Sequence, residues 1–587
     1  MRAFRPRGPG FEGVATTALA IVLASLAPVK PAAPPRAPVA FIVQGSPAEL
    51  AAEAVAAVQG ELTHHLEIID AVGARLTADQ LATLRSRAGI RIYEDRTAEA
   101  AKAEKLGRRE TKTPKNEDLD GLDTEYPAFI DADELHTAGN SGQGVTIAFL
   151  DTGVWTRGTQ IEQGVAQNGA GQERILAQYN AIHDFETSGP IEWQLRSRPD
   201  IAIDLSGHGT HISSVAVSSY QAWNRHTESH LYNGVAPDAD LVVVKAFDAN
   251  GMGSYLDVIR GIEWVVDNRD RYGIRVLNLS FSAEPISYYW DDPLNQAVMR
   301  AWQMGIVVVA SAGNRGPGAM TIGVPGNVPY VITVGAMSDA ASINPSDDFL
   351  ASFSSSGPTF EGFVKPDVLA PGGHILGLMS ERSLIARQYP EFHNGANYFT
   401  MSGTSQATAV VSGVAALMLR SDPGLTPEDL KCRLMASARP AVAEDPETGE
   451  MKLAYSVFQQ GAGLINARDA TRDWTAGCAN QGLDIELDLA GIEHYGGSAN
   501  QAEDGTFYLM DLAGDGMTWS DGITWSDGYE FRRDYAWSDG MTWSDGITWS
   551  DGMTWSDGLL WSDGLLWSDG ITWSDAHMGI NLWVDQE

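Results

Sequence analysis

Residues 145–153 read Val-Thr-Ile-Ala-Phe-Leu-Asp-Thr-Gly, an apolar run of strand length that ends on a carboxylate. Apolar runs of similar length recur further along the chain, at residues 241–247, 276–281, 306–310 and 330–334. Segments of helical length and periodicity separate them, at residues 256–268, 293–303 and 406–420. Continuous apolar strands that alternate with helices predict a mostly parallel sheet with both faces covered. We therefore expect an α/β fold over residues 120–475.

Two short segments place polar side chains where such a fold keeps its sites. Asp151 follows a predicted strand directly, at the carboxyl end where open α/β sheets bind ligands, although an aspartate there is as often a turn former. In Gly207-His208-Gly209-Thr210-His211 the glycines let the backbone approach closely and leave the His208 ring unobstructed. The two histidines could also pair on a metal or be ordinary surface residues. We interpret His211 as structural.

Two further segments complete the set of candidate residues. Ser405 lies in Ser402–Ala407, which runs into the helix predicted at 406–420. A serine at a helix start is by default an N-cap. The same geometry suits a nucleophile, because free backbone N–H groups at the positive end of the helix can hold an oxyanion. Ser311-Ala312-Gly313-Asn314 follows another predicted strand and could point an amide at that oxyanion.

The order Asp, His, Ser along the chain is that of the subtilisin family, and the surrounding residues resemble that family too. The matching segments are Leu150-Asp151-Thr152-Gly153, Gly207–His211, Ala312-Gly313-Asn314, Gly403-Thr404-Ser405, Gly234–Pro237 and Lys365–Gly372. The resemblance covers about residues 120–474. It implies a three-layer subtilisin-like fold and a serine endopeptidase that hydrolyses peptide bonds. By this resemblance Asp151, His208 and Ser405 form a catalytic triad, and Asn314 stabilises the oxyanion.

The resemblance also implies where a substrate would bind. The substrate-binding strands of the family map onto the segments that contain Gly251, Gly253, Ser280, Phe281, Ser282, Ser311, Ala312 and Gly313. An extended peptide would add to such edges through main-chain hydrogen bonds, so we expect broad specificity. This sequence departs from the family at Gln406, Ala409 and Val410, where Met, Pro and His are usual, and at Ser282, where glycine is usual. We expect altered packing and a narrower pocket, not lost chemistry.

A smaller unit precedes this region. Residues 39–96 alternate strand-like runs at 41–43, 66–69 and 90–93 with helix-like runs at 47–58 and 77–87. The unit resembles the inhibitory propeptide of the family, which implies a small α/β, ferredoxin-like domain that templates folding. It would act as an intramolecular inhibitor until the chain is cleaved within the charged linker at 97–119.

The N-terminal residues predict export. Residues 1–27 combine early arginines with a short apolar run, as a signal peptide does, and a Pro/Ala-rich spacer follows at 28–38. A retained N-terminal anchor is the alternative; in either case we expect a secreted or cell-surface protein. Cys432 and Cys478, the only cysteines, would form one disulfide or remain two buried thiols.

The formal charge of −36 makes the chain a poor nucleic-acid binder. Its acidic side chains could hold cations, although solubility alone accounts for them. The resemblance implies no cofactor for catalysis. Calcium commonly stabilises the family, but no ligands can be assigned from this sequence.

After a spacer at 476–510, residues 511–587 repeat every six residues, mostly as Trp-Ser-Asp-Gly plus two residues. Phe531 fills the one position of this register that lacks tryptophan. The tryptophans of the register are at positions 519, 525, 537, 543, 549, 555, 561, 567 and 573. An even period places these rings on one face of extended chain, which predicts a β-rich array. That face could bind carbohydrate or a cell surface, the aspartates could hold calcium, or the array could be a self-packing spacer.

Two rival functions follow from the same residues. One is a binding protein, an inactive subtilisin-like scaffold that displays the tail. The other is a metallohydrolase that uses His208 and His211. Labelling by an active-site serine reagent distinguishes both from a serine peptidase.

Overall fold

The computed structural model describes residues 37–96, 124–188, 202–224, 229–338, 349–395, 397–444, 451–502 and 505–509, with short strands at 529–530 and 578–580. The predicted signal peptide (1–27), nearly all of the spacer at 28–38, the linker (97–119) and almost all of the repeat tail lie outside the described residues.

The N-terminal unit is a four-stranded antiparallel sheet with two helices. Its elements are β1 (Val39–Gln44), α1 (Ala48–Ala57), β2 (Glu61–Leu66), β3 (Ala71–Leu76), α2 (Ala78–Arg85) and β4 (Arg91–Glu94). The strand order is β2-β3-β1-β4. The strand predicted at 66–69 is wrong in part: β2 ends at Leu66 and a 3-10 turn, Glu67–Ile69, follows. Asp70 adopts a left-handed conformation (φ 52°) that ends this turn and begins the unpredicted strand β3.

The remaining elements follow in chain order. The strands are β5 (Thr146–Asp151), β6 (Ile175–Asn180), β7 (Phe185–Ser188), β8 (Gln221–Asn224), β9 (Ser229–Tyr232), β10 (Asp240–Lys245), β11 (Ile274–Leu279), β12 (Phe281–Ala283), β13 (Val307–Ser311), β14 (Ile332–Ser338), β15 (Phe349–Leu350), β16 (Val368–Pro371), β17 (Ile375–Leu378), β18 (Tyr398–Met401), β19 (Val442–Glu444), β20 (Met451–Leu453), β21 (Tyr495–Gly496), β22 (Ala499–Gln501), β23 (Phe507–Leu509), β24 (Tyr529–Glu530) and β25 (Met578–Ile580). The helices are α3 (Tyr126–Phe129), α4 (Ala132–Thr137), α5 (Thr159–Ile161), α6 (His208–Val217), α7 (Tyr255–Asp267), α8 (Arg269–Tyr272), α9 (Pro293–Gln303), α10 (Leu384–Gln388), α11 (Thr404–Ser421), α12 (Pro427–Ala436), α13 (Val457–Gln460), α14 (Ala467–Arg472) and α15 (Ile485–Leu489). A π-helical turn spans Glu162–Ala166 and a 3-10 turn spans Pro390–Phe392.

The central sheet has the strand order β15-β14-β13-β11-β5-β10-β6-β7, and β16 also pairs with β14. Neighbouring strands in this sheet are parallel along β14-β13-β11-β5-β10-β6, and β16 is parallel to β14. Strands β7 and β15 are antiparallel to their neighbours at the two edges. All six residues of β5 are buried, which explains why its central residues, Ile147–Leu150, are apolar without alternation. Helix α6 packs against α11, and α7 packs against α9. Each of these helices also contacts the central sheet. The predicted α/β fold with a mostly parallel sheet is confirmed.

Local sequence signals account for several helix ends. Helix α12 begins at Pro427, and Thr426 caps it by accepting a hydrogen bond from Asp429 N (3.1 Å). Helix α11 differs from the prediction: it begins at Thr404, two residues early, because Gly403 is the N-cap. Ser405 is therefore not an N-cap but the second residue of the helix.

Long-range contacts tie the domain together and hold the N-terminal unit on it. Cys432 and Cys478 are joined by a disulfide. Strand β2 packs on α7, and the 3-10 turn after β2 packs on α9. Asp95 accepts a hydrogen bond from Leu256 N (3.1 Å) in the first turn of α7. In the part of the chain that the structure describes, no helix has the length and apolar character needed to cross a bilayer.

Candidate active site

The Asp151 carboxylate and the His208 imidazole meet at the carboxyl edge of the sheet. Asp151 ends β5 and His208 begins α6. The Nδ1 atom of His208 lies 2.8 and 2.9 Å from the two carboxylate oxygens of Asp151, and both side chains are buried. A Cβ atom at Gly209 would lie 2.2 Å from Gly153 O, so only glycine lets the helix approach the strand end this closely.

This contact determines which nitrogen of the ring carries the proton. A carboxylate accepts hydrogen bonds, so Nδ1 donates and Nε2 keeps its lone pair in the neutral ring. Among the described residues, His208 Nε2 has no hydrogen-bond partner. Asp151 Oδ1 also accepts a hydrogen bond from Thr152 N (2.7 Å), which holds the carboxylate in its orientation. The arrangement leaves a basic nitrogen available to a third group.

Ser405 lies at the same edge of the sheet, but its hydroxyl is turned away from His208. Its Oγ donates a hydrogen bond to Ser280 O (3.0 Å), and Ser280 directly follows β11, the strand next to β5. The hydrogen bond from Ser405 to His208 that the resemblance implies is not formed in this rotamer. A serine side chain has three staggered rotamers about its Cα–Cβ bond, and the structure shows one of them.

Asn314 presents an amide group beside the start of α11. Its Oδ1 accepts hydrogen bonds from Thr404 N (3.0 Å) and Thr404 Oγ1 (2.8 Å), which fixes the orientation of the amide. Its Nδ2 is buried and has no hydrogen-bond partner among the described residues. A Cβ atom at Gly403 would lie 3.2 Å from this Nδ2 and 2.7 Å from Gln406 Oε1, so the glycine keeps the space open. A buried, oriented donor without a partner among the described residues is suited to a developing negative charge.

The residues predicted to bind substrate lie at or after the carboxyl ends of three strands of the sheet, and Phe281 and Ser282 belong to the short strand β12. Gly251 and Gly253 follow β10, Ser280–Ser282 follow β11, and Ser311–Gly313 end or follow β13. The Phe281 side chain packs in the core against Phe247, and its carbonyl accepts a hydrogen bond from Ser311 Oγ (2.8 Å). Phe281 can therefore contact a substrate only through its main chain.

One segment of the tail reaches this edge. Strand β25, Met578–Ile580, pairs antiparallel with β12, and Gly579 is opposite Ser282. The backbone of β12 is thus able to accept an added extended strand.

His211 is placed as a structural residue. Its Nε2 lies 3.0 Å from Phe399 O, and burial lowers its pKa to about 3, so the ring is neutral. This nitrogen is engaged by a carbonyl and is not free to share a ligand with His208. Across the described ranges, no three His, Cys, Asp or Glu side chains gather as a candidate metal site.

Sequence reasoning missed two buried charged residues beside the site. Asp204 accepts hydrogen bonds from the start of α6 and from Thr152, and Lys245 Nζ donates to Thr152 O (2.6 Å). Asp204 stands only four residues before His208, which was the available signal. Lys245 ends β10, directly after the apolar run Leu241–Val244.

The fold and the site together define a serine peptidase of the α/β class. Residues 142–463 match the model of the subtilase family, more than half of the chain. The chain belongs to this family of subtilisin-like serine endopeptidases.

Individual relatives share the same region. The chain is 36% identical over 336 residues to the serine protease AprX of Bacillus subtilis, across 56% of this chain and 66% of AprX, just under two thirds of that relative. It is 30% identical over 346 residues to subtilisin DY of Bacillus licheniformis, across 59% of this chain and 97% of that protein. Among solved structures, fervidolysin from Fervidobacterium pennivorans, a keratinolytic enzyme related to subtilisin, has a similar fold, with a TM-score of 0.52 and 22% identity. That likeness covers 74% of this chain and 61% of fervidolysin.

Proposed function

We propose that this protein is a secreted serine endopeptidase that hydrolyses peptide bonds through Ser405, His208 and Asp151. The observation that carries the proposal is the buried Asp151–His208 pair (2.8 Å) at the sheet edge where Ser405 also lies. The family accounts for protein or peptide substrates. The assignment of each role to a residue of this chain rests on the geometry.

The reaction begins when the Ser405 hydroxyl turns from Ser280 O to His208 Nε2. His208 takes the proton as Ser405 Oγ attacks the substrate carbonyl, and Asp151 stabilises the imidazolium that forms. His208 then gives that proton to the leaving amine, which leaves an acyl-enzyme on Ser405. A water molecule, deprotonated by His208, hydrolyses the ester and restores the serine.

The oxyanion of each tetrahedral intermediate is held by two donors. Asn314 Nδ2 is one, because its carboxamide is already oriented by Thr404. The backbone N–H of Ser405 is the other, since the first N–H groups of a helix have no partner within the helix. Both donors are in position before the reaction, so stabilising the charge requires little reorganisation.

Substrates bind as extended chains along the loops after β10, β11 and β13. The pairing of Met578–Ile580 with β12 supports this mode, because it shows that the edge accepts an antiparallel strand. Main-chain pairing depends little on side chains, which favours broad specificity.

The protein is made as a self-processing zymogen. Residues 39–96 act as the intramolecular inhibitor and are released by cleavage within 97–119. Their packing on α7 supports this role, because α7 begins at Tyr255, two residues after Gly253, which is assigned to substrate. The signal-like sequence at 1–27 supports export to the cell surface or medium. The carbohydrate- or surface-binding role of the tail, and structural calcium, stay predictions without assigned residues.

A fluorophosphonate serine probe and mass spectrometry test the proposal together. Matured wild type should be labelled at one serine, and Ser405→Ala should lose both the label and the removal of residues 39–96. Equal labelling of the two proteins would refute the role of Ser405. Absence of labelling in correctly folded, matured wild type would favour the inactive scaffold.

A further inference from the structure

A second buried carboxylate, that of Asp204, holds the helix that carries His208. Its Oδ1 accepts a hydrogen bond from Gly207 N (2.8 Å), and its Oδ2 accepts from Thr210 N (2.9 Å) and Thr210 Oγ1 (2.7 Å). The N-cap residue of α6 is Gly207, which has no side chain to satisfy these donors. Asp204 therefore caps the helix from outside, with its negative charge at the positive end of the helix.

The same carboxylate also reaches the segment that carries Asp151. Thr152 Oγ1 lies 2.9 Å from Asp204 Oδ1 and 3.2 Å from Asp151 Oδ1, and it accepts a hydrogen bond from Gly209 N (2.9 Å). A hydroxyl has one proton to donate, and the shorter contact shows that Thr152 donates its hydrogen bond to Asp204. Asp151 Oδ1 consequently shares less of its charge with Thr152 and more with His208.

A buried lysine lies beside this network and partly offsets its negative charge. Lys245 Nζ donates to Thr152 O (2.6 Å) and Ile203 O (3.2 Å), one residue from Asp151 and one residue from Asp204. Burial lowers the pKa of Lys245, and the charges of Asp204, Asp248 and Asp151 oppose that shift. The hydrogen bonds to Asp204 therefore form beside a buried positive charge.

We propose that Asp204 is a positioning residue of the active site. It fixes the end of β5, which carries Asp151, relative to the start of α6, which carries His208. It also accepts the Thr152 hydroxyl hydrogen bond that could otherwise go to Asp151. Asp204 contacts neither substrate nor the reacting atoms, so it acts on turnover and not on substrate binding. The inference rests on the proposed peptidase function. A simple helix cap would contribute stability alone.

Asp204→Asn is the direct test, measured in protein expressed as the full precursor and then matured. Each carboxylate oxygen accepts two donors, so an amide must turn its NH2 group towards one pair of N–H or O–H groups. We expect kcat on a chromogenic peptide to fall about 10- to 100-fold, the effect of a misplacement of about 1 Å, with KM changed less than twofold. The rate constant of fluorophosphonate labelling should fall by the same factor, while the final extent of labelling stays complete.

Asp238→Asn is the matched control. Asp238 accepts hydrogen bonds from Ser141 Oγ and Gly169 N, but it lies two residues before β10, at the end of that strand opposite to Lys245. The melting temperature of this variant should fall as that of Asp204→Asn does, with kcat per labelled site within twofold of wild type. The positioning role is overturned if Asp204→Asn loses only melting temperature and keeps kcat per labelled site.

A pair of substitutions at Thr152 decides the question if Asp204→Asn does not fold. Thr152→Val removes the hydroxyl that joins the two segments but leaves the contacts of Asp204 with α6 intact. Thr152→Ser keeps that hydroxyl. We expect kcat to fall at least tenfold more in Thr152→Val than in Thr152→Ser, and equal kcat values would overturn the inference. If wild type itself fails to label at Ser405, it is the proposed function that fails.

Discussion

The contact between Arg96 and Asp292 should decide how firmly the N-terminal unit is held. Arg96 Nη1 lies 2.6 Å from Tyr255 Oη and 3.4 Å from Asp292 Oδ2, and Arg96 Nη2 donates to Glu284 O (3.2 Å). The side chains of Arg96 and Asp292 are only 2% and 1% exposed. Burial raises the pKa of Asp292, and the positive charge of Arg96 opposes that rise. The charged form of each side chain is therefore stabilised by the other.

Arg96→Met keeps most of the side-chain length and removes the charge. Breaking a buried ion pair by removing one partner costs about 3–5 kcal/mol. Asp292 keeps its hydrogen bonds from Leu294 N, Asn295 N and Tyr255 Oη, so the lower end applies, about 3 kcal/mol. That free energy corresponds to roughly 100-fold weaker docking of residues 39–96.

The exposed pair Arg91–Asp291 is a matched control at the same interface. Its atoms are 3.6 Å apart, and the side chains are 65% and 49% exposed. Such pairs contribute about 0–1 kcal/mol, so Arg91→Met should weaken docking less than about fivefold.

The assay follows the lag before full hydrolysis of a chromogenic peptide after the precursor is diluted into buffer. Arg96→Met should shorten this lag far more than Arg91→Met. A change below threefold, or equal changes in the two variants, would refute the reasoning from burial.

Three further results are expected. Replacing Asn314 with alanine should lower kcat about 10²–10³-fold with little change in KM, a range that comes from subtilisin itself, and unchanged turnover would remove Asn314 from the oxyanion site. Burial raises the pKa of Asp95 and that of Glu263 to about 7 at the interface with residues 39–96. Docking of residues 39–96 therefore takes up protons, so it is strongest below about pH 4 and weakens as the pH rises to about 7. The activation lag should shorten from pH 5 to 7.5. Asp95→Asn should flatten that trend. The disulfide between Cys432 and Cys478 closes a loop over a sequence separation of 46. Replacing both cysteines by serine should lower the free energy of unfolding by about 4 kcal/mol, measured by urea denaturation in an inactive background. A loss below about 1 kcal/mol would contradict the argument from loop entropy.

Short-range patterns made much of this fold predictable. Strand β5 is fully buried, so its apolar run stands out in the sequence, and α9 has the predicted bounds because Asp292 caps it and Pro293 begins it. Strand β3 was not predicted, since its small residues and one arginine do not alternate clearly. The start of α11 was misplaced because Gly403, not a polar side chain, is its N-cap.

The candidate site divides in the same way. Asp151, His208 and Ser405 each stand in a short segment whose glycines and neighbours mark it in the sequence. Arg96 has no such local mark, and Asp204 has only its position four residues before His208. Their importance comes from burial beside Thr152 and Asp292, residues that lie 52 and 196 positions away along the chain.

The sequence by itself determined the alternation of the main core strands with helices, the candidate catalytic residues and the family they indicate. These depend on periodicity, turn chemistry and motifs, which act over a few residues. Only the tertiary structure decided that Ser405 points to Ser280, that Asp204 joins two segments of the site and that Arg96 is buried on Asp292. Contacts between distant residues depend on how whole elements pack, and no short stretch of sequence encodes that geometry.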